Sequence, residues 1–164
     1  MSDEASIKVL LVDDEQTLTE FLAKRLLKEG FMVKATFSGE EAIEAVSDSD
    51  YDVAVVDLKM PGMDGVETQK GLKKIQKYLQ CIVLTGYGSI ESALESGQEN
   101  AFNFLLKPID YENLVENIRK AYDRKVELQT EAFQREMEGV HKSGMGAKGI
   151  KKAINKLRKI YGID

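Results

Sequence analysis

Five short apolar runs, each followed by a stretch of helical period, constrain the fold of this chain more tightly than any other feature. Ile7 to Val12 reads as a buried strand, because Ile-Lys-Val-Leu-Leu-Val is short, β-branched and almost free of polar breaks. Leu18, Phe21, Leu22 and Leu26 then fall at helical spacing, and Gly30 stops that helix. Phe31 to Phe37 is a second strand. Ser38 is the predicted N-cap of the next helix, with Glu41 completing a capping box ahead of Ala42, Ile43 and Val46. Asp52 to Val56 is a third strand and delivers Asp57 at its C-terminal end. A loop with Pro61, Gly62, Asp64 and Gly65 leads into a helix ending near Tyr78. Cys81 to Leu84 is a fourth strand ending at Thr85, followed by a helix with Ile90, Ala93, Leu94 and Gly97 on one face. Phe102 to Leu106 is a fifth strand ending at Lys107-Pro108. The helix after it begins near Tyr111 and turns Leu114, Val115, Ile118 and Tyr122 inward.

Strands alternating with helices over about 120 residues describe an α/β fold with a parallel sheet. Right-handed crossovers put helices on both faces, and such sheets bind ligands at the carboxyl ends of their strands. The conspicuous polar residues stand at those ends: Asp13 and Asp14 after the first strand, Asp57 after the third, Thr85 after the fourth, Lys107 after the fifth. Three carboxylates gathered on one rim repel and raise one another's pKa unless a cation neutralises them. An oxygen-only donor set without His or Cys favours Mg2+, which keeps several waters and leaves room for phosphate. Lys107 supplies a fixed charge for a phosphoryl oxygen and Thr85 a hydroxyl donor. Phosphoryl transfer asks little more of a protein than in-line positioning and charge stabilisation, so the residues point to a carboxylate nucleophile beside a metal.

Each residue taken singly has a plainer reading. An acidic pair after a strand is often a helix N-cap, a lone Asp or Thr there is commonly turn chemistry, and Lys-Pro is a stop signal. Those readings do not account for the set occurring together, in order, on one predicted rim.

The chain here resembles the receiver domain of two-component response regulators, from Ile7 to about Tyr122. The resemblance rests on Val12-Asp13-Asp14-Glu15, on Val56-Asp57-Leu58-Lys59-Met60-Pro61-Gly62-Met63-Asp64-Gly65, on Leu84-Thr85-Gly86-Tyr87-Gly88-Ser89 and on Phe104-Leu105-Leu106-Lys107-Pro108. It implies a flavodoxin-like, five-stranded parallel sheet in the order 2-1-3-4-5 with a C-terminal helical extension. It implies that Asp57 accepts a phosphoryl group from a histidine kinase or phosphotransfer protein. Asp14 would be a direct Mg2+ ligand and Asp13 a ligand through water, with Asp57 and the Lys59 backbone carbonyl completing the metal site. Lys107 would pair with the phosphoryl group, and the peptide before Pro108 would be cis. A switch is implied too, in which Thr85 moves to the phosphoryl oxygen and Phe104 turns inward behind it. The output surface would be the Ile90–Gly97 helix, the fifth strand and the helix from Tyr111, meeting a downstream effector protein. Phe104 replaces the tyrosine frequent in the family, and Asn100 stands where many relatives have glycine. Lys59 and Tyr87, two residues beyond Asp57 and Thr85, are expected to shield the acyl phosphate and slow its hydrolysis.

Charge is unevenly spread. The net charge of -5 conceals seven Lys or Arg from Val140 onward against one acid, Asp164, leaving 16 basic and 27 acidic side chains upstream. Cys81 is the single cysteine, so no internal disulfide forms, and it reads as a small buried hydrophobe. Met1 to Ser6 is polar and unlike a signal peptide, and no apolar run approaches the roughly 18 residues of a membrane span. A cytoplasmic protein with no membrane partner is expected.

The predicted organisation is a receiver over residues 1–122, an extension of its last helix over 123–138, a Gly-rich linker over 139–149 and a basic amphipathic helix over 150–164. Val126, Leu128, Ala132, Phe133 and Met137 are too irregular for a clear heptad, so a solvated extension is favoured over a dimerising one. Gly139, Gly144, Gly146 and Gly149 mark the linker, and His141 is expected in an exposed loop there. Ile150, Ala153, Ile154, Leu157, Ile160 and Tyr161 trace an apolar stripe, with Lys151, Lys152, Lys156, Arg158 and Lys159 mostly off it. Docking on the receiver or on a second copy, as a homodimer, is the favoured reading, with anionic membrane or DNA as alternatives. The ending Lys156 to Asp164 also resembles the last helix of Fis-type helix-turn-helix domains, although the glycines where the preceding helix should lie argue against a working copy.

Two rivals remain. A haloacid-dehalogenase-type phosphatase also uses Asp, Thr, Lys and Mg2+, but it wants a second aspartate where Lys59 stands, and little chain is left for a cap. A small DNA-binding regulator with a receiver input is the other. A stand-alone receiver acting through protein contacts, a phosphoacceptor rather than a turnover enzyme, is the expected function.

Overall fold

In the computed structural model, which describes residues 6–86 and 101–163, the five apolar runs form one parallel sheet in the order β2-β1-β3-β4-β5. The strands are β1 (Lys8–Val12), β2 (Met32–Thr36), β3 (Val53–Asp57), β4 (Gln80–Thr85) and β5 (Ala101–Leu106). The helices are α1 (Gln16–Glu29), α2 (Gly39–Asp48), α3 (Gly65–Ile75), α4 (Tyr111–Lys142) and α5 (Ala147–Tyr161). The helix predicted around Ile90 to Gly97, together with Tyr87 and Asn100, lies outside the described residues.

Alternation along the central strands explains the layers. Val9, Leu11, Val53, Val55, Ile82 and Leu84 form one core with Leu22 and Leu26 of α1 and Leu114 and Ile118 of α4. Leu10, Val12, Ala54, Val56 and Cys81 face the opposite way, against Ala42 and Val46 of α2 and Leu72 of α3. Helices thus cover both faces, and each fully buried Leu or Ile contributes roughly 1.5–3 kcal/mol. Cys81 is buried as expected, and burial pushes its thiol pKa up to about 12.

The helix starts follow the sequence. Ser38 caps α2 by accepting from Glu41 N at 3.1 Å, while the Glu41 carboxylate accepts from Phe37 N, one residue before the cap. Asp64 caps α3 by accepting from Glu67 N at 2.9 Å. In α1 the inward stripe is Thr19, Leu22, Ala23 and Leu26. Leu18 and Phe21 share the helical spacing but point off that stripe, and Phe21 is 60% exposed.

The chain divides into two units, Met1–Asp123 and Arg124–Asp164. The second unit corrects the linker predicted over 139–149. Helix α4 runs to Lys142 and α5 starts at Ala147, so the break shrinks to residues 143–146. A single interior glycine such as Gly139 costs only about 1 kcal/mol, too little to stop a helix that packing supports. His141 is therefore in the last turn of α4 and exposed, not in a loop. A helix thus does precede α5, across a break of four residues, despite the glycines. On α5, Leu157 and Tyr161 are buried, whereas Ile160 is 61% exposed and off the stripe. The Tyr161 ring meets Phe133 edge to face at 6.1 Å, and its hydroxyl donates to Glu136.

Candidate functional site

The C-terminal ends of β1 and β3 lie side by side, with Val12 in register with Val56, so Asp13, Asp14 and Asp57 emerge together. Each offers a carboxylate oxygen within 4.8 Å of the others. Asp13 and Asp57 are buried, and Asp14 is exposed. Asp13 is held from both sides: its backbone N–H donates to Thr36 O, and its Oδ1 accepts from Glu15 N at 3.0 Å.

Lys107 reaches the cluster from the end of β5. Its Nζ lies 3.0 Å from Asp13 Oδ2 and 3.5 Å from Asp57 Oδ1. Its backbone N–H donates to Thr85 O at 2.8 Å, and the following peptide to Pro108 is cis. Burial works to lower the Lys107 pKa, but the hydrogen bond and charge of Asp13, and the charges of Asp57 and Glu15, raise it overall. Glu15 is a contributor that the sequence reading did not single out.

Asp57 carries the opposite perturbation. Burial, then the neighbouring Asp13 charge, push its pKa from 3.8 up to about 6, against the lowering effect of Lys107 and of a Lys59 backbone hydrogen bond. Burial and a like charge disfavour the anion, and a cation beside it favours the anion, as Lys107 does in part. The donor set is all oxygen and fits a hard divalent ion.

Thr85 ends β4, buried, with its hydroxyl donating to Gly86 O at 3.3 Å. On β5, Phe104 pairs with Val83 and Leu106 with Thr85, so Phe104 and Thr85 project from the same sheet face. Phe104 is half-buried against Leu58 and Val83. Lys59 is exposed just beyond Asp57.

Gly65 has a role that its place in the motif alone did not reveal. A Cβ built on it would lie 2.5 Å from the Asp57 carbonyl oxygen and 2.7 Å from Leu58 Cα. Its N–H donates to Leu58 O at 2.9 Å, so the absent side chain lets the start of α3 clamp the backbone that carries Asp57.

Asp13, Asp14, Asp57 and Lys107 are therefore brought together at the strand ends, with Thr85 on the adjoining strand, and residues 9–119 match the family model described as response regulator receiver domain. The chain belongs to the response regulator receiver domain family. It is similar to the transcriptional regulatory protein ZraR of Escherichia coli, 33% identical over 116 residues, which are 71% of this chain and 26% of that protein. It spans about a quarter of the length of that relative. It is also similar to the sporulation initiation phosphotransferase F of Bacillus subtilis, 31% identical over 113 residues, 69% of this chain and 91% of that one. Among solved structures, the response regulator protein TrrA of Thermotoga maritima in complex with Mg(2+)-BeF matches with a TM-score of 0.63 at 31% identity. That match covers 70% of this chain and 98% of the other. As a receiver, the chain is a phosphoacceptor switch built on this sheet.

Proposed function

We propose that Asp57 is the phosphoacceptor of this receiver, and the observation that carries the reading is the Lys107 ammonium set between the Asp13 and Asp57 carboxylates. One Asp57 carboxylate oxygen attacks phosphorus of a phosphohistidine, or of a small phosphodonor. An O–P bond forms, the donor's P–N or P–O bond breaks, and the leaving group departs with the electron pair. Lys107 turns from its carboxylate partners to the phosphoryl oxygens of the product. Asp13, Asp14, Asp57 and the Lys59 carbonyl would hold Mg2+, whose chemistry when bound is to neutralise the carboxylates and the incoming phosphoryl charge. The Mg(2+)-BeF complex of the similar TrrA supports that assignment.

Downstream of the chemistry, Thr85 leaves Gly86 for a phosphoryl oxygen, and Phe104, on the same face, fills the space behind it. Lys59 and Tyr87, the latter outside the described residues, shield the acyl phosphate. A histidine kinase or phosphotransfer protein donates the phosphoryl group. An effector protein reads the surface around β5 and the start of α4, with homodimerisation a further route to output. The receiver proper occupies residues 1–122 and acts in the cytoplasm. Among the described residues no helix is long and apolar enough to cross a membrane. The similarity to proteins named as transcriptional regulators favours, as a second reading, a receiver input of a DNA-binding regulator.

The test is intact mass after incubation with acetyl phosphate, with and without Mg2+, on the wild type and on Asp57→Asn. A Mg2+-dependent gain of one phosphoryl group, absent from the variant, is expected. A gain retained in Asp57→Asn would remove Asp57 as acceptor, and steady turnover of a phosphomonoester would favour the phosphatase instead.

A further inference from the structure

The second unit carries a surface that the phosphoacceptor site does not use. Helix α5 holds Lys148, Lys151, Lys152, Lys156, Arg158 and Lys159 and not one acid. At 100° per residue these six cations and Asn155 fall on one side, opposite the stripe of Ile150, Ala153, Ile154, Leu157 and Tyr161. All six are exposed, while Leu157 and Tyr161 are buried within the unit and Ile150, Ala153 and Ile154 are half-buried. Five lysines and Asn155 line a shallow groove of about 510 Å³ along the helix.

We propose that this face binds the phosphate backbone of nucleic acid without reading its sequence. Three anionic partners suit a cationic helix, and the structure separates them. A membrane surface needs the apolar face to enter the lipid boundary, but that face is occupied within the unit, leaving Ile160 as the one large apolar side chain of α5 in solvent. An acidic protein surface calls for aromatic or Arg anchors, and lysine is depleted at such interfaces; here the exposed cations are five Lys to one Arg. A phosphate backbone needs neither. Lysines on flexible stems follow a polyanion, gain by releasing its counterions and position a chain without specifying bases. The inference stands on α5 alone and does not depend on Asp57 being the acceptor.

The experiment is fluorescence anisotropy of two unrelated 20-base-pair duplexes with the full chain, between 50 and 200 mM salt. If about four of the six cations engage phosphates, affinity falls on the order of a hundredfold across that range, equally for both duplexes. The triple variant Lys148→Gln, Lys152→Gln, Lys159→Gln, with helix content checked by circular dichroism, should reduce that fall to a few-fold. These exposed side chains support no packing, and Asp57→Asn should leave the binding unchanged. Parallel titrations use phosphatidylserine vesicles and polyglutamate. No duplex binding at 50 mM salt, equal binding by the triple variant, tighter binding to vesicles or polyglutamate than to duplex, or a strong preference between the duplexes would each overturn the proposal.

Discussion

Lys107 Nζ lies closer to Asp13, at 3.0 Å, than to Asp57, at 3.5 Å, so the ammonium occupies the carboxylate cluster as a built-in cation. A divalent ion held by these carboxylates would compete with it for the same charge. Lys107→Met should therefore tighten Mg2+ binding by roughly tenfold, about 1.4 kcal/mol, while slowing phosphorylation by acetyl phosphate by roughly 10²-fold. Calorimetric Mg2+ titration and intact mass measure the two effects. Unchanged or weaker Mg2+ affinity in the variant would show that Lys107 does not oppose the metal.

Asp57 makes stability depend on pH in an unusual direction for a carboxylate. Its pKa is higher folded, about 6, than the ordinary 3.8 of an unfolded chain. The fold therefore favours the protonated form: the contribution of Asp57 is most favourable below about 3.8 and is lost as pH rises through about 6. At neutral pH without metal, the difference corresponds to at most about 3 kcal/mol of destabilisation, reduced by solvent screening of the carboxylate. Asp57→Asn in EDTA at pH 7.5 should raise Tm by several degrees, and the gain should vanish near pH 4. Saturating Mg2+ should narrow the gap by stabilising the wild type more than the variant. Equal Tm values in EDTA at pH 7.5 would refute the account.

Gly65 offers a test of the clamp beneath Asp57. In Gly65→Ala the new methyl meets the Asp57 carbonyl oxygen and Leu58 Cα, both backbone, so the start of α3 must move away from β3. A loss of about 1–3 kcal/mol is expected in urea unfolding, with slower phosphorylation of the molecules that remain folded. Gly139→Ala is the contrasting substitution. Its Cβ meets nothing within 4 Å inside α4, so it should stabilise the second unit by about 1 kcal/mol.

Gly139 also shows where the sequence was legible and where it was not. The exits of β1, β3 and β4 were readable because nearly every residue of those strands is buried, which makes each a short apolar run ending at Asp13, Asp57 or Thr85. The edge strand β5 buries only Leu105, and its exit was marked instead by Lys107-Pro108. Positions decided by competition were less readable. Glycine at 139 or 149 opposes a helix, but the burial of Ala132, Leu157 and Tyr161 and the Phe133–Tyr161 ring contact outweigh it. Leu18, Phe21 and Ile160 satisfy the helical spacing by side-chain type yet lie off the buried stripe, because the sheet or helix opposite accommodates a limited arc. The role of Gly65 depends on the path of the Asp57 backbone, which local sequence does not describe.

The pairing of Tyr161 with Phe133 and Glu136 should decide whether α5 stays ordered. Tyr161 makes an edge-to-face ring contact with Phe133 and donates its hydroxyl to the Glu136 carboxylate. Tyr161→Phe removes only the second and should cost about 1 kcal/mol or a little more, since the acceptor is charged. Tyr161→Ala removes both and opens a void beside Leu157, at a cost of about 3–5 kcal/mol, comparable with all that a unit of this size gains from packing. Hydrogen exchange over Ala147–Tyr161 should stay slow in Tyr161→Phe and approach the unprotected rate in Tyr161→Ala. Amides of β1, β3 and β4 should remain protected in both variants, because their core is built from Met1–Asp123 residues. Loss of protection in those strands would mean instead that the second unit supports the receiver. Protection of α5 retained in Tyr161→Ala would mean that Ile150, Ile154 and Leu157 suffice to hold the helix.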